Sequence, residues 1–303
     1  MLMARVVSGM ILIAVALGVL LVDESFGPWY PFWFLLCMSA LTAAGIELVG
    51  LLSRTIARPS MNTVMGGVLA LTLSNWMPHV SEYLAGGEQS DLAVAQTGSP
   101  VAWLAWPFLS FVGVLMVTFI VQSVQFVRPG RTMATIAGTI LAVAYLGLLG
   151  SFVIQLRWLD GPHQGVTALI FLVATAKGAD TGAYTVGRIA GRHKLWPSLS
   201  PNKTVEGAVG GLVFAVSASL LVLGLARHLA GIEPITIPAA LGYGLLVGVA
   251  AQLGDLMESM IKRDCERKDA SSAVPGFGGV LDVLDSLLFA GPVAFGYWLC
   301  VTA

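Results

Sequence analysis

Apolar residues are grouped along the chain in long uninterrupted runs, and these runs predict transmembrane helices. A helix needs roughly 17–25 apolar residues to cross a bilayer. The runs that meet or approach this length are Arg5–Val22, Pro31–Leu52, Asn62–Met77, Val101–Val127, Thr132–Ile154, Gly165–Ile189, Thr204–Ala226, Ile237–Ile261 and Val280–Ala303. The third run is short, and polar residues interrupt the sixth. We therefore predict an all-α, polytopic integral membrane protein with about nine transmembrane helices.

The basic residues give an orientation to these helices. With the N-terminus in the cytoplasm, Arg157 and Arg227 fall outside, Lys177 lies within a span, and every other basic residue falls inside. Lys and Arg are retained in cytoplasmic loops, so we predict a cytoplasmic N-terminus in the cell inner (cytoplasmic) membrane. The basic inner face suits anionic lipid headgroups and nucleotides, and we predict no nucleic-acid partner.

Composition supports membrane insertion and shows two dissimilar halves. Of the 303 residues, 56% are hydrophobic and 11% are charged, against roughly 25% charged in soluble domains. Residues 1–160 are predicted to be N-terminal transmembrane helices that form a lipid-facing scaffold. Glu47 is the one residue there whose side chain could carry chemistry. Residues 161–303 carry nearly all of the intramembrane and juxtamembrane charge, so we predict that they form the catalytic region.

Carboxylates in the second half predict a metal site near the cytoplasmic face. Asp255 and Glu258 are three residues apart at the end of the eighth run, and Asp282 and Asp285 are three apart at the start of the ninth. Mg²⁺ binds through one or two carboxylates together with substrate phosphates. We predict that Asp255, Asp282 and Asp285 hold the ion. Helix capping is an alternative that explains Asp282 but not the other two carboxylates.

Basic side chains and glycines near these carboxylates predict phosphate binding. Lys203 follows Ser-Pro-Asn, which we interpret as a turn, at the expected start of a helix, where backbone N–H groups also attract anions. The basic residues that follow the eighth run are either a phosphate clamp or ordinary inner-face charges: Lys262, Arg263, Arg267 and Lys268. The glycines at 278 and 279 would allow the backbone to approach phosphate oxygens closely. This set of groups at a membrane surface indicates phosphoryl or nucleotidyl transfer to a lipid.

Lys177 and Asp180 form a separate charged pair within the sixth run. They are three residues apart, so they share a helix face. An ionisable group within a span costs at least about 2.5–3.5 kcal/mol on insertion scales and usually faces a cavity or a partner. The pair is interpreted either as part of the site or as a buried ion pair that only joins helices.

Together these segments resemble the phosphatidate cytidylyltransferase (CDP-diacylglycerol synthase) family. The family signature, approximately S-x-x-K-R, K-D and P-G-H-G-G-x-x-D-R-x-D-S, is similar to Ser259…Lys262-Arg263, Lys268-Asp269 and Pro275-Gly276-Phe277-Gly278-Gly279…Asp282-Val283-Leu284-Asp285-Ser286. The blocks that begin at Asp180 and Ser200 also look like family blocks. Phe277 stands where the family has His, and Val283 stands where it has Arg.

The resemblance implies that CMP is transferred from CTP to phosphatidic acid, which gives CDP-diacylglycerol and pyrophosphate. It implies Mg²⁺ as cofactor, with Mn²⁺ or an additional monovalent cation as open alternatives, and membrane lipids as surroundings. A homodimer is an open alternative to a monomer. The implied catalytic residues are Asp255, Asp282, Asp285, Lys203 and Lys262. The implied substrate-binding residues are Lys177, Asp180, Lys203, Arg263, Lys268, Asp269, Gly278 and Gly279.

Three other functions compete with this interpretation. An ion- or proton-coupled transporter would use Lys177 and Asp180 as a path, but we detect no inverted repeat in the sequence. A CTP-dependent lipid or polyprenol kinase would handle the same phosphates but release CDP. An inactive relative would be explained by the changes at Phe277 and Val283.

Overall fold

A computed structural model describes residues 2–27, 29–80, 100–127, 129–159, 163–274 and 278–302. The helices are α1 Leu2–Asp23, α2 Pro31–Leu52, α3 Met61–Ser74, α4 Pro100–Trp103, α5 Ala105–Val124, α6 Thr132–Val143, α7 Leu149–Gln155, α8 Gln164–Ala190, α9 Val205–Leu225, α10 Ile237–Asp264 and α11 Leu281–Thr302. A π-helical turn, Ala144–Leu148, joins α6 to α7, and another, Ala226–Ala230, extends α9. Phe277, and with it the predicted His-to-Phe change, lies outside the described residues, as do residues 81–99 of the outer loop.

The all-α, membrane-spanning class predicted from the sequence is confirmed. In the described part of the chain, seven helical stretches are long and apolar enough to cross a membrane: Pro31–Leu52, Ala105–Val124, Thr132–Trp158, Gln164–Ala190, Val205–Ala230, Ile237–Asp264 and Leu281–Val301. The third predicted run forms α3, a shorter apolar helix of 14 residues. The number nine and the cytoplasmic N-terminus stay predictions.

The chain divides into two compact units, and the first consists of Met1–Gln155 and Cys265–Val283. Several of its buried polar side chains are hydrogen-bonded within the unit, as a bilayer favours. Asp23 is fully buried, and its two carboxylate oxygens accept hydrogen bonds from the N–H groups of Phe32 (3.1 Å) and Trp33 (2.9 Å) at the start of α2. The Asn75 amide donates to Ser151 Oγ at 3.0 Å. These bonds hold the helices of the first unit in register.

The second unit consists of Leu156–Asp264 and Leu284–Ala303. Glycines let α8 and α9 pack closely: a Cβ at Gly210 would lie 2.5 Å from Val186 Cβ, and one at Gly182 would lie 2.5 Å from Phe214 Cβ. This is the small-residue packing that membrane helices favour. Deeper in the unit, Phe171 packs edge-to-face against Trp298, with ring centroids 5.6 Å apart. The unit is therefore a tightly packed helical scaffold.

A short antiparallel hairpin connects α8 to α9 and corrects one sequence-based expectation. Strand β1, Lys194–Trp196, pairs with β2, Ser200–Thr204, and Lys194 lies opposite Thr204. The predicted Ser-Pro-Asn turn is thus part of a strand, and Lys203 belongs to β2 and not to the helix. Helix α9 begins two residues later, where Thr204 Oγ1 accepts a hydrogen bond from the Gly207 N–H at 3.1 Å.

Candidate active site

Three acidic side chains of α10 and α11 converge in the second unit. One carboxylate oxygen from each of Asp255, Glu258 and Asp285 lies within 4.8 Å of the others. Glu258 is only 1% exposed and Asp285 only 5%, whereas Asp255 is partly exposed. Buried carboxylates at this spacing repel one another unless cations neutralise them. The cluster is therefore a candidate cation site.

A glycine next to Asp255 allows the two helices to approach closely enough for this convergence. A Cβ at Gly254 would lie 2.5 Å from the carbonyl oxygen of Asp285 and 2.9 Å from Phe289 Cβ. Because neither neighbour is the end of a flexible side chain, a larger residue would push α10 away from α11. Gly254 thus places Asp255 beside the first turns of α11.

Lysines surround the cluster. Lys203 Nζ lies 2.7 Å from Asp255 Oδ2, and Lys262 forms an ion pair with Glu258 one helical turn away. Lys177 Nζ donates to Asp180 Oδ2 at 3.1 Å and to Ser286 Oγ at 2.9 Å. The same ammonium group interacts electrostatically with Asp255 and Asp285. Lysine side chains therefore contact the acidic groups of the second unit and offset their charge.

A cavity of about 420 Å³ opens beside this network in the second unit. Its lining comes from α8, the hairpin, α9 and α10. The polar and charged lining residues are Asp180, Tyr184, Arg188, Asn202, Lys203, Thr204, Gln252 and Asp255. The volume is within the range of small-molecule sites, and cationic groups at its wall suit an anionic ligand. The predicted residues Asp180, Lys203 and Asp255 are thus brought together.

In the first unit, two carboxylates hold the turn that precedes α11. Asp282 Oδ2 accepts hydrogen bonds from the N–H groups of Gly279 (2.7 Å) and Ala270 (3.1 Å). Glu47 of α2 accepts from the N–H groups of Val280 (3.1 Å) and Leu281 (2.8 Å). We call residues 270–274 and 278–281 the glycine turn. These bonds give Asp282 a structural role in the turn before α11, and its role as a metal ligand stays a prediction.

The other predicted residues occupy more exposed positions. Arg263 is exposed, and its Nε donates to the Leu199 carbonyl at 3.3 Å in the second unit. Lys268 and Asp269 are exposed in the first unit, directly before the glycine turn. Gly278 has a positive φ of 112°, a conformation that favours glycine. The assignment of substrate binding to these residues stays a prediction.

Sequence reasoning missed two residues of these arrangements. Glu258 joins the acidic cluster although the predicted metal set omitted it, and its spacing from Asp255 was the available signal. Glu47 was noted only as a lone acid in an apolar helix. Its contacts lie more than 220 residues away in sequence, which no local pattern discloses.

Comparison with known proteins gives a family for the chain. A model of the cytidylyltransferase family matches residues 3–301. The chain is 41% identical over 155 residues to a phosphatidate cytidylyltransferase from Bacillus subtilis (strain 168), an alignment that covers 51% of this chain and 55% of that protein. It is 36% identical over 180 residues to the phosphatidate cytidylyltransferase of Staphylococcus aureus (strain COL), covering 59% of this chain and 65% of that protein. Each alignment thus spans less than two thirds of the relative's length.

Proposed function

Because the chain belongs to the cytidylyltransferase family, we propose that it transfers CMP from CTP to phosphatidic acid, with CDP-diacylglycerol and pyrophosphate as products. Relatives named phosphatidate cytidylyltransferase support this choice of substrates. The observation that carries the proposal is the acidic cluster of Asp255, Glu258 and Asp285 in helices apolar enough to span a membrane. A cavity lined by Lys203 and Arg188 lies beside it.

The proposed reaction is a displacement at the α-phosphorus of CTP. A phosphate oxygen of phosphatidic acid forms the new bond to this phosphorus, the bond to the bridging α,β-oxygen breaks, and pyrophosphate leaves with the electron pair. A phosphate monoester with a second pKa of about 6 is already largely ionised near neutral pH, so no protein base is needed. The protein's task is to position the two phosphates and to neutralise their charge.

We propose Mg²⁺ as the cofactor, because the donor set suits it. Three carboxylate oxygens within 4.8 Å of one another are hard ligands of the kind that Mg²⁺ takes. Asp255, Glu258 and Asp285 would hold the ion, and Asp282 remains a further candidate. When bound, Mg²⁺ would offset negative charge on the triphosphate and on the departing pyrophosphate. In the same assay, Mn²⁺ would be tested as a replacement for Mg²⁺, and a monovalent cation as a supplement to it.

The basic residues are assigned either to phosphate binding or to offsetting the charge of the acidic cluster. Lys203 lines the cavity and would exchange its contact with Asp255 for a contact with a substrate phosphate. Lys262 would offset the buried charge of Glu258, and Lys177 is held by Asp180 and Ser286 with its charge toward the acidic cluster. Arg263, Lys268, Asp269 and the glycines at 278 and 279 complete the proposed substrate contacts.

The proposal extends to location and assembly. We propose the inner membrane, with the site toward the cytoplasm where CTP is present, because most basic residues fall on that side of the predicted topology. Membrane lipids would surround the apolar helices and supply phosphatidic acid from the bilayer. A homodimer is the assembly to be tested, by comparing the mass of the detergent-solubilised particle with 31.8 kDa.

The decisive experiment is an assay of the purified protein in detergent–phosphatidic acid micelles with α-labelled CTP and Mg²⁺. We expect label in a lipid product and release of pyrophosphate. Asp285→Asn should abolish both while the protein still elutes as a folded particle. Glu233→Gln, which removes an acid of the exposed Arg227–Glu233 pair, is the matched control and should retain activity.

The products distinguish the alternatives. Release of CDP with an unlabelled lipid phosphate would assign a CTP-dependent lipid or polyprenol kinase. Absence of any lipid product, with ion flux in reconstituted vesicles, would assign a transporter. Absence of both would assign an inactive relative.

A further inference from the structure

Glu47 is the only charged residue of α2, and it bonds to both arms of the glycine turn. Its Oε1 accepts hydrogen bonds from Ser271 Oγ at 2.6 Å and from the Val280 N–H at 3.1 Å. Its Oε2 accepts one from the Leu281 N–H at 2.8 Å. One carboxylate thus ties Ser271 to Val280 and to Leu281, the first residue of α11. All of these groups belong to the first unit.

The turn is shaped to fit this carboxylate. A Cβ at residue 279 would clash with Glu47 Oε2, so a larger residue would displace this carboxylate from its bonds. From the other side, Asp282 binds the N–H groups of Gly279 and Ala270. Paired backbone bonds between Val274 and Gly278, at 2.7 and 3.0 Å, close the turn. Glu47 and Asp282 together fix the backbone on both sides of Gly279.

Helix stability alone is a weak reason for an acid at this place. Glu47 lies five residues before the end of α2, within an apolar span where a carboxylate is costly. A surface cap at a helix N-terminus needs no such cost. The first unit has another carboxylate at the start of a helix for comparison: Asp23 accepts hydrogen bonds from the N–H groups of Phe32 and Trp33 in α2, and neither bond involves the glycine turn.

We propose that Glu47 is a positioning residue for substrate binding, acting through the glycine turn. This inference rests on the proposed function, in which Lys268, Asp269 and the glycines at 278 and 279 contact substrate phosphates. Glu47 touches none of the substrate itself. It holds the backbone that carries these groups, so the first part of the chain contributes to turnover and not only to a scaffold.

The test compares Glu47→Gln with Asp23→Asn. Each change replaces one acceptor oxygen with an NH₂ group that cannot accept a hydrogen bond, so each leaves a backbone donor unsatisfied. Both variants should lose thermal stability. We expect Glu47→Gln alone to lower kcat/KM for CTP, by about tenfold or more, because small misplacements of binding groups are costly. Asp23→Asn should keep the wild-type kcat/KM per folded molecule.

Hydrogen exchange gives a readout that does not depend on activity. In Glu47→Gln, amide exchange should rise in the peptide that covers residues 278–284, whereas Asp23→Asn should leave that peptide unchanged. If Glu47→Gln does not fold, Glu47→Asp keeps the charge but shortens the reach. It should show the same direction of change in kcat/KM and in exchange.

Several results would overturn the inference. Wild-type kcat/KM in Glu47→Gln would do so, and so would an equal loss in Asp23→Asn, which would indicate general loosening. Unchanged exchange at residues 278–284 would also contradict it. A wild-type protein that makes no CDP-diacylglycerol would instead overturn the proposed function, and the exchange experiment would still report whether Glu47 holds the turn.

Discussion

Three ion pairs join acidic side chains of the membrane-spanning helices in the second unit to lysines. The pairs are Lys177–Asp180, Lys203–Asp255 and Lys262–Glu258. Removing one member of a buried pair leaves an uncompensated charge, which costs more than the pair itself contributes. Substitutions that retain hydrogen bonding are therefore the informative ones, because truncations would confuse loss of chemistry with loss of fold.

The identity of the metal ligands can be tested at single residues. Glu258→Gln should raise the Mg²⁺ concentration needed for half-maximal activity by about tenfold or more, because the variant loses a charged oxygen donor. Asp282→Asn should leave that concentration unchanged and lower the stability of the glycine turn, because its Oδ2 is bonded to two backbone N–H groups. The measurement is a Mg²⁺ titration of initial rate for each variant.

The reverse pattern would assign the ion to the set predicted from sequence. If Asp282→Asn raises the Mg²⁺ concentration needed for half-maximal activity and Glu258→Gln does not, then Asp282 is a ligand and its bonds to the turn are secondary. Glu233→Gln serves as the control for a charge change in an exposed pair.

Two lysines of the hairpin provide a matched test of phosphate binding. Lys203 lines the cavity and pairs with Asp255, whereas Lys194 on the opposite strand is exposed. Lys203→Gln should raise KM for CTP by about tenfold, since a charge-assisted bond to phosphate is worth about 1.5–3 kcal/mol. Lys194→Gln should leave KM unchanged. Equal effects in steady-state kinetics would indicate a general surface-charge effect and would contradict the assignment.

At the scale of elements, close contact between α8 and α9 depends on glycine. Gly210→Leu should destabilise the protein by about 1–3 kcal/mol, the usual cost of overpacking, because its Cβ would meet Val186 at 2.5 Å. Gly224→Leu, on the same helix with no atom within 4 Å of its Cβ, is the control. Thermal denaturation in detergent should show a lower midpoint for the first variant only. Equal midpoints would mean that the interface adapts to the larger side chain.

The helices could be predicted from sequence because apolar length is a local property. Each predicted run corresponds to a described helix, and even the short third run forms α3. The hairpin could not be predicted in the same way. Pro201 and Asn202 are typical of turns, but the pairing of Lys194 with Thr204 holds them in an extended strand. Strand pairing depends on contacts that no single window of sequence contains.

The candidate site was partly predictable for the same reason. Asp255 stands out as an acid near the end of the eighth apolar run, and Asp285 as one near the start of the ninth. The structure brings their carboxylates together. Glu258 had only its three-residue spacing from Asp255 as a signal, and the predicted metal set omitted it. Glu47 gave no clue to its partners, because the bonds to Ser271, Val280 and Leu281 form only in the folded first unit.

At the scale of the whole molecule, orientation in the membrane is the prediction on which a cytoplasmic site depends. Helix α9 with its π-turn separates two exposed positions, Lys194 before it and Glu233 after it. The three native cysteines, Cys37, Cys265 and Cys300, are all free thiols and can be replaced by Ser. Single cysteines at positions 194 and 233 then report which side of the membrane each end of α9 faces.

We expect a membrane-impermeant maleimide to label Glu233→Cys, but not Lys194→Cys, in cells whose inner membrane is intact and whose outer barrier is permeable to the reagent. In inverted vesicles the labelling pattern should reverse, so that Lys194→Cys is labelled and Glu233→Cys is not, because the basic loops then face the solution. In detergent both introduced cysteines should be labelled, which would show that each thiol is reactive. Labelling of Lys194→Cys in intact cells would mean that the topology is the reverse of the predicted one. The cavity lined by Lys203 would then lie on the side of the membrane without CTP, which contradicts the proposed use of this nucleotide.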